Sequence, residues 1–129
     1  MQELCKSDTA NRLGIWNWPK EQYIFDNLNT LVYNVLDPAR EKLGAPIYIN
    51  SGYRSRETNI AVGGARNSQH CTGNAVDCRA NDMKRLLEIL KSMDYDQLIV
   101  YYHKGKMAWI HVSYVTNRPN RNQFIIDKK

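Results

Sequence analysis

The chain has 129 residues, with 18 Lys and Arg against 13 Asp and Glu, which gives a formal net charge of +5. Hydrophobic residues make up 43% and charged residues 24%, a globular composition that excludes a disordered or fibrous chain. The longest apolar runs, such as 98–102, are too short for a membrane-spanning helix.

The start of the chain and its cysteines bear on its cellular setting. Residues 1–6 do not combine a basic start with an apolar run, so the sequence predicts cytoplasmic synthesis without a signal peptide. The three cysteines have no C-x-x-C spacing, which favours reduced thiols over a disulfide framework. Basic residues are scattered along the chain, so we expect no nucleic-acid partner and no membrane partner. A single domain over residues 1–129 is predicted, with a monomer as the default state.

The first third of the chain predicts helices. Ser7 and Asp8 are typical of the cap of a short helix that ends at Gly14. Over Lys20–Leu43 apolar residues recur at three- and four-residue steps, which predicts an amphipathic helix that Pro38 bends or interrupts. The next predicted elements are a strand over Ile47–Asn50 and one or two helical turns over Arg56–Val62.

The rest of the chain predicts a sheet and one more helix. Residues 65–74 are polar and interrupted by glycine, which favours a loop before a short strand at 75–78. Asn81 and Asp82 indicate the cap of a further helix. Strands are predicted over Gln97–Tyr102, Met107–Val115 and, as a possible edge strand, Gln123–Ile126. The fold class is therefore α+β: a single domain in which a small antiparallel sheet packs against helices.

Two of the three histidines accompany one aspartate in a spacing that suits a metal. His70 precedes Asp77 by seven residues with a glycine between them. His111 follows on the strand predicted over Met107–Val115. Two imidazoles and a carboxylate are a ligand set that zinc accepts while keeping a fourth position open for water. The alternative is that the three residues do not lie together: His70 is then a loop histidine, Asp77 a carboxylate at a strand end and His111 a half-buried strand residue.

Three short motifs place these residues in a wider pattern. They are S-G-Y-R-S at 51–55, S-x-H-x-x-G-x-A-x-D at 68–77 and W-x-H-x-S at 109–113. In this order they resemble the M15 peptidases, the zinc D-Ala-D-Ala carboxypeptidase family, and within it a short phage-type subfamily. The resemblance runs from about Leu4 to Ile125. It implies the fold of the hedgehog and DD-peptidase type.

The resemblance also implies a function and roles for individual residues. Family members use one zinc ion, here held by His70, Asp77 and His111, to cleave peptide bonds in peptidoglycan stem peptides. Arg54 matches the family arginine that binds the substrate carbonyl or carboxylate; the alternative is a solvated turn residue tied to a neighbouring carboxylate. Ser68 and Gln69 either line the substrate cleft or stabilise their loop. Action on the bacterial cell wall without a signal peptide is compatible with a phage or prophage endolysin.

The sequence departs from the family at the general base. Relatives carry a carboxylate three residues before the last histidine or near the end of the preceding strand, and these places hold Ala108 and Val100-Tyr101. His103 is a candidate base because its unperturbed pKa is about 6.5, although an exposed turn histidine is the alternative. Tyr101 could assist as a hydrogen-bond donor. Asp94 and Asp96 precede the strand and lie far along it, so they are less favoured candidates that stay open. A zinc-containing module that binds cell-wall peptides without cleaving them also remains open.

Overall fold

The structure is a computed structural model that describes residues 2–128. The helices are α1 (Gln2–Cys5), α2 (Asp8–Leu13), α3 (Gln22–Leu31), α4 (Asp37–Leu43), α5 (Arg56–Ala61) and α6 (Met83–Lys91). The strands are β1 (Tyr48–Ser51), β2 (Ala75–Arg79), β3 (Gln97–His103), β4 (Lys106–Ser113) and β5 (Gln123–Lys128). A π-helical turn (Val32–Leu36) joins α3 to α4, and a 3-10 turn (Gln69–Thr72) precedes β2.

The long helix predicted over 20–43 forms as α3, the π-helical turn and α4. Pro38 lies in the first turn of α4, which continues the preceding π-helical turn, so its missing N–H removes one hydrogen bond from the ladder. The π-helical turn directly before it changes the hydrogen-bond pattern at the place where proline breaks the regular ladder. Pro38 therefore marks an irregularity within a continuous helical segment. The short helix capped by Ser7 and ended by Gly14 forms as predicted.

The five strands form one sheet in the order β1-β2-β4-β3-β5. Neighbouring strands are antiparallel except that β5 runs parallel to β3. The prediction of an antiparallel sheet therefore holds for four strands and is wrong for the fifth. The reason is the segment 114–122, which crosses the end of the sheet and brings β5 back in the direction of β3.

The core lies between one face of the sheet and the helices. Its fully buried side chains come from α3, the π-helical turn, α6 and the three inner strands: Leu28, Leu31, Val35, Leu86, Leu90, Val76, Leu98, Val100, Ile110 and Val112. Successive side chains of a strand point to opposite faces. Val76 and Cys78 therefore enter the core, whereas Asp77 and His111 lie on the other face.

Among residues 2–128, no helix has both the length and the apolar character needed to cross a bilayer.

Candidate metal centre and substrate cleft

Asp77 and His111 are brought together by the register of β2 and β4. The two residues are direct partners in this antiparallel pair, although 34 positions separate them in the chain. Side chains directly opposite each other on neighbouring strands lie on the same face, about 5 Å apart at Cβ. Strand pairing alone thus places a carboxylate beside an imidazole.

His70 reaches the same place from the 3-10 turn that precedes β2. The hydroxyl of Ser68 accepts a hydrogen bond from the backbone N–H of His70 at 3.2 Å and so begins the turn. Gly73 ends it with a φ of +77°, a conformation that residues with a Cβ rarely adopt. A Cβ at Gly73 would also lie 2.7 Å from the carbonyl oxygen of Ile24. The glycine is required by both its backbone conformation and its close contact with α3.

The three side chains converge on one carboxylate oxygen. Asp77 Oδ1 lies 3.2 Å from His70 Nε2 and 3.1 Å from His111 Nδ1, and one donor atom from each residue falls within 4.8 Å of the others. His70 Nδ1 lies 2.7 Å from the carbonyl oxygen of Gly52. Because a carbonyl only accepts, Nδ1 carries the proton of the neutral ring and Nε2 presents a lone pair to Asp77.

The donor set fits a zinc ion. Tetrahedral ligands at about 2.0–2.1 Å from zinc lie about 3.3 Å from one another, close to the two distances found here. The lone pair of His70 Nε2 and the oxygen of Asp77 repel each other unless a proton or a cation lies between them. Burial opposes ionisation of Asp77, but in the metal-free site the hydrogen bond from His111 and, where a proton lies between the two groups, that from His70 outweigh the burial and hold the pKa of Asp77 below its ordinary value. Asp77 is thus ionised at neutral pH, as a carboxylate that binds a metal must be.

Arg54 lies against this cluster and orients the carboxylate. Its Nη2 donates to Asp77 Oδ2 at 3.3 Å, so the two oxygens of Asp77 have different partners. Its Nε donates to Ser51 Oγ at 3.0 Å and its Nη1 to Asn59 Oδ1 at 3.2 Å. The Arg54 side chain is only 16% exposed. Arg54 is therefore tied to a neighbouring carboxylate, as the alternative expected, but it is not solvated, and its role towards a substrate stays a prediction.

Gly64 permits the contact between Asn59 and Arg54. A Cβ at Gly64 would overlap the side-chain amide of Asn59 and come within 3.0 Å of Arg54 Nη1. Asn59 is itself fixed, because its Nδ2 donates to the carbonyl oxygen of Ala65 at 2.8 Å. This pair of residues was not singled out for a role from the sequence, where an asparagine in a helical turn and a second glycine carry little signal.

The cluster opens into a cleft of about 650 Å³. Besides the three candidate ligands, its lining includes Arg54, Ser68, Gln69, Tyr101, Trp109, Arg118 and Arg121. Ser68 caps the 3-10 turn, and Gln69 Nε2 donates to Asp96 Oδ2 at 2.8 Å. Both residues thus stabilise their loop while lining the cleft, so their role in substrate binding stays a prediction.

His103 is not brought to the cluster. It is exposed at the far end of β3, where its register partner is Lys106, whereas the partner of His111 is Ile99. Four residues along a strand correspond to roughly 13 Å. The structure therefore does not favour His103 as the base that receives a proton in the cleft, and its catalytic role stays a prediction.

Tyr101 lies in the cleft and, with Val100, holds one of the two places at which the family resemblance implies a carboxylate. Its ring stacks on Trp109 with the ring centroids 4.9 Å apart. Burial and the negative charge of Asp77 raise the pKa of the phenol above its ordinary value. The hydroxyl is therefore protonated at neutral pH and donates hydrogen bonds. Among the described residues that line the cleft, Asp77 is the single carboxylate.

Asp96 has a role that the sequence did not reveal. Its place before the strand makes it a less favoured base, yet it lies beneath the cleft, fully buried, and binds Arg118, Arg121 and Gln69. Burial alone would raise its pKa, but these hydrogen bonds outweigh the burial and lower it below the ordinary value. The only signal in the sequence was a small basic cluster at 118–121, which says nothing about its partner.

Fold and site together define a class: a small α+β domain with a candidate His-Asp-His metal centre in an open cleft, an arrangement typical of metal-dependent hydrolases. The family model described as Peptidase M15 matches residues 1–113. The protein therefore belongs to the M15 peptidase family, whose members are zinc peptidases, and the resemblance drawn from the three motifs is confirmed. No curated protein matches the chain.

Proposed function

We propose that this protein is a zinc-dependent peptidase that hydrolyses peptide bonds of bacterial peptidoglycan stem peptides. It would act as a D-Ala-D-Ala carboxypeptidase or as an endolysin-type endopeptidase. The observation that carries the proposal is the convergence of His70, Asp77 and His111 at an open cleft beside a fixed arginine. Membership of the M15 family supports the peptidase class.

The residues of the cluster divide the work of holding the metal. Bound zinc supplies a Lewis acid that activates water for attack on a peptide carbonyl. His70 is held in the required tautomer by the Gly52 carbonyl, and Asp77 is held through its second oxygen by Arg54. Such outer contacts fix the direction of each ligand and its basicity.

Arg54 is placed to stabilise charge on the substrate. Three of its five guanidinium N–H bonds have partners, so two have none among the described residues. A guanidinium that faces a developing oxyanion donates a charge-assisted hydrogen bond whose loss typically lowers the rate about 10²–10³-fold. Because Ser51, Asn59 and Asp77 already hold the side chain, little reorganisation is needed when substrate arrives.

The test pairs zinc content with turnover of purified peptidoglycan for three proteins: the wild type, His111→Ala and His103→Ala. His103→Ala is the matched control, because it removes an exposed histidine outside the cluster. We expect about one zinc per chain in the wild type and in His103→Ala, and loss of zinc and of cleavage in His111→Ala. Cleavage is detected as new amino termini or released D-alanine.

The outcomes are distinct. Absence of zinc in the wild type, or its retention in His111→Ala, would contradict the assigned ligand set. Zinc retention with lost cleavage in His103→Ala would restore His103 as a catalytic group despite its position.

A second function is favoured by one feature of the cleft. Ala108 and Val100-Tyr101 hold the two places at which the family resemblance implies an acid that takes a proton, and loss of a general base typically costs about 10²–10⁴-fold in rate. The protein would then be a zinc-containing module that binds cell-wall peptides. This alternative predicts full zinc content and peptide binding without turnover in the same experiment.

The same proposal includes the setting in which the protein acts. Its net charge of +5 favours retention on the anionic cell wall. We propose that it acts there as a monomer on peptide substrate, as a phage or prophage endolysin does, with no nucleic-acid or membrane partner.

A further inference from the structure

Arg118 and Arg121 extend the cleft away from the candidate metal centre. We propose that these two arginines form a carboxylate-binding subsite, so that the protein prefers peptides with a free carboxylate about two residues from the scissile bond. The inference rests on the proposed function for its substrate class, and it deepens that function by naming what the substrate carries.

The two arginines share one buried anchor. Arg118 Nη1 and Nη2 donate to Oδ1 and Oδ2 of Asp96 at 2.6 and 3.0 Å. Arg121 Nε and Nη2 donate to the same two oxygens at 3.1 and 2.8 Å. Asp96 has no exposed surface, whereas the arginine side chains are 43% and 50% exposed. Asp96 thus lies beneath the surface of the cleft, and both guanidinium groups reach that surface.

The charges at this end of the cleft do not balance. Two guanidinium groups face one carboxylate, which leaves a surplus of one positive charge. The other carboxylate of the cleft, Asp77, is already engaged by His70, His111 and Arg54. Each of the two outer arginines also keeps N–H bonds without a partner among the described residues. An incoming carboxylate would meet both the charge and the donors it requires.

The loop that carries the arginines is fixed before any ligand binds. Asn120 closes it by accepting from the backbone N–H of Val115 at 2.9 Å and donating to the Val115 carbonyl at 3.2 Å. The backbone N–H of Arg121 also donates to Asp96 Oδ1 at 3.1 Å. Groups held in place in this way lose less conformational freedom on binding. The geometry is that of a prepared site rather than of two mobile surface side chains.

The position of the subsite relative to the metal centre follows from the strands. The backbone N–H of Asp96 donates to the carbonyl of Ser113 at 2.8 Å, and Ser113 follows His111 by two residues on β4. Two strand residues span roughly 7 Å, which is also the length of about two residues of extended peptide. A carboxylate bound by the arginines would therefore lie about two residues from the bond at the metal.

Gln69 supplies a hydrogen-bond acceptor, its Oε1 atom, between the candidate metal centre and the two arginines. Asp96 only accepts hydrogen bonds when ionised, so Gln69 must present its NH₂ group to Asp96 and turn Oε1 away. Gln69 Oε1 is buried and has no partner among the described residues. A backbone N–H of a bound peptide would satisfy it.

The arginines lie outside the part of the chain that matches the family. The match ends at residue 113, whereas Arg118 and Arg121 follow in the segment that leads to β5. Preference for an acidic peptide would thus be contributed by residues beyond the matched region.

The test measures the affinity of the zinc-loaded protein for synthetic stem peptides by calorimetry. The probes are L-Ala-γ-D-Glu-L-Lys-D-Ala-D-Ala, its D-isoglutamine form and its C-terminal amide, with KM replacing Kd for any peptide that is cleaved. We expect one of the two amidated peptides to bind roughly tenfold more weakly than the free acid. The ratio of the Kd of that amidated peptide to the Kd of the free acid should fall towards one in Arg118→Gln and in Arg121→Gln. Arg118→Lys should retain part of this ratio.

The controls separate a binding role from a structural one. Arg12→Gln removes one exposed arginine from α2 and should keep the tenfold ratio.

If the arginines only neutralise Asp96, their glutamine variants will melt at lower temperature while the ratio of acid to amide affinity stays unchanged. That result would overturn the proposal, as would equal affinities in the wild type or no binding of any peptide. Competition by millimolar inorganic phosphate as effective as that of the free acid would overturn the carboxylate assignment in favour of a general anion site. Binding with the expected ratio but without cleavage would refute the peptidase and leave the subsite standing.

Discussion

At the scale of single residues, the site depends on how each polar atom is assigned a partner. Asp77 directs one oxygen to the two histidines and the other to Arg54, so neither oxygen is free to rotate away. The same assignment shows that a general base is missing among the described residues of the cleft, because Tyr101, a protonated phenol, lies at one of the places where the family resemblance implies an acid. The presence or absence of another group that accepts the proton decides between the proposed peptidase and the proposed binding module.

Replacing Tyr101 by glutamate should raise turnover. Tyr101→Glu introduces an ionisable carboxylate into the cleft, and a positioned general base typically contributes about 10²–10⁴-fold. We expect a rise of about 10²-fold in kcat on peptidoglycan peptides. The measurement is the rate of release of new amino termini at neutral pH.

Tyr101→Gln is the matched control, because it loses the stacking on Trp109 as the glutamate variant does but cannot accept a proton. Equal rates for the two variants would mean that position 101 is not where the base acts.

At the scale of secondary-structure elements, Asp96 ties the start of β3 to the segment that leads to β5. The backbone N–H of Asn122 donates to the Tyr95 carbonyl and that of Gln123 to the Asp96 carbonyl, while the Asp96 side chain holds both arginines. These contacts fix the parallel pairing of β5 with β3, which the hydrophobic pattern of β5 does not specify. The buried carboxylate of Asp96 thus fixes the direction of β5, which in other sheets a turn motif specifies.

Loss of this charge should destabilise the protein in a pH-dependent way. The folded-state pKa of Asp96 is lowered, so its contribution to the free energy of unfolding is present above its unfolded pKa of about 3.9 and is lost as pH falls below that value. At pH 7 we expect Asp96→Asn to be about 2 kcal/mol less stable, allowing for the partial exposure of the arginines. The difference from the wild type should narrow below about pH 4. Urea denaturation at several pH values measures it.

Asp94→Asn is the control for this experiment. Asp94 is exposed two residues earlier and has no ion pair among the described residues, so its variant should follow the wild type at every pH. A constant difference between Asp96→Asn and the wild type across the whole range would refute the role given to the ionised carboxylate.

At the scale of the whole molecule, the candidate ligands come from three separate parts of the chain. His70 belongs to a turn, Asp77 to β2 and His111 to β4, and they meet only when the sheet has formed in its register. Such a site is absent from the unfolded chain. Metal binding at the proposed site would therefore be coupled to folding.

Removal of metal should lower the melting temperature. A ligand that binds only the folded state at 100 times its Kd stabilises it by about 2.7 kcal/mol, which is roughly 10 °C for a chain of this size. We expect a chelator to reduce the melting temperature of the zinc-loaded wild type by about this amount, as measured by differential scanning calorimetry.

Two variants check that the effect comes from the assigned ligands. His103→Ala should respond to the chelator as the wild type does, whereas His111→Ala should not respond. An unchanged melting temperature in the wild type would contradict a folded-state zinc site.

The sequence alone predicted most of the local structure and the candidate ligands. The caps at Ser7 and Asp82, the spacing of apolar residues and the three motifs depend on interactions within a few residues of one another. Such signals can be read along a single chain. For the same reason they predicted the bounds of the helices and strands to within a few residues.

Only the tertiary structure decided how distant parts of the chain meet. The parallel direction of β5, the burial of Asp96 beneath Arg118 and Arg121, and the distance of His103 from the metal centre depend on where the chain crosses the sheet after β4. No local propensity encodes that crossing, because the free energy that fixes it comes from contacts between residues more than 20 positions apart. Sequence therefore named the groups that can bind a metal, and the fold determined which other groups share the cleft with them.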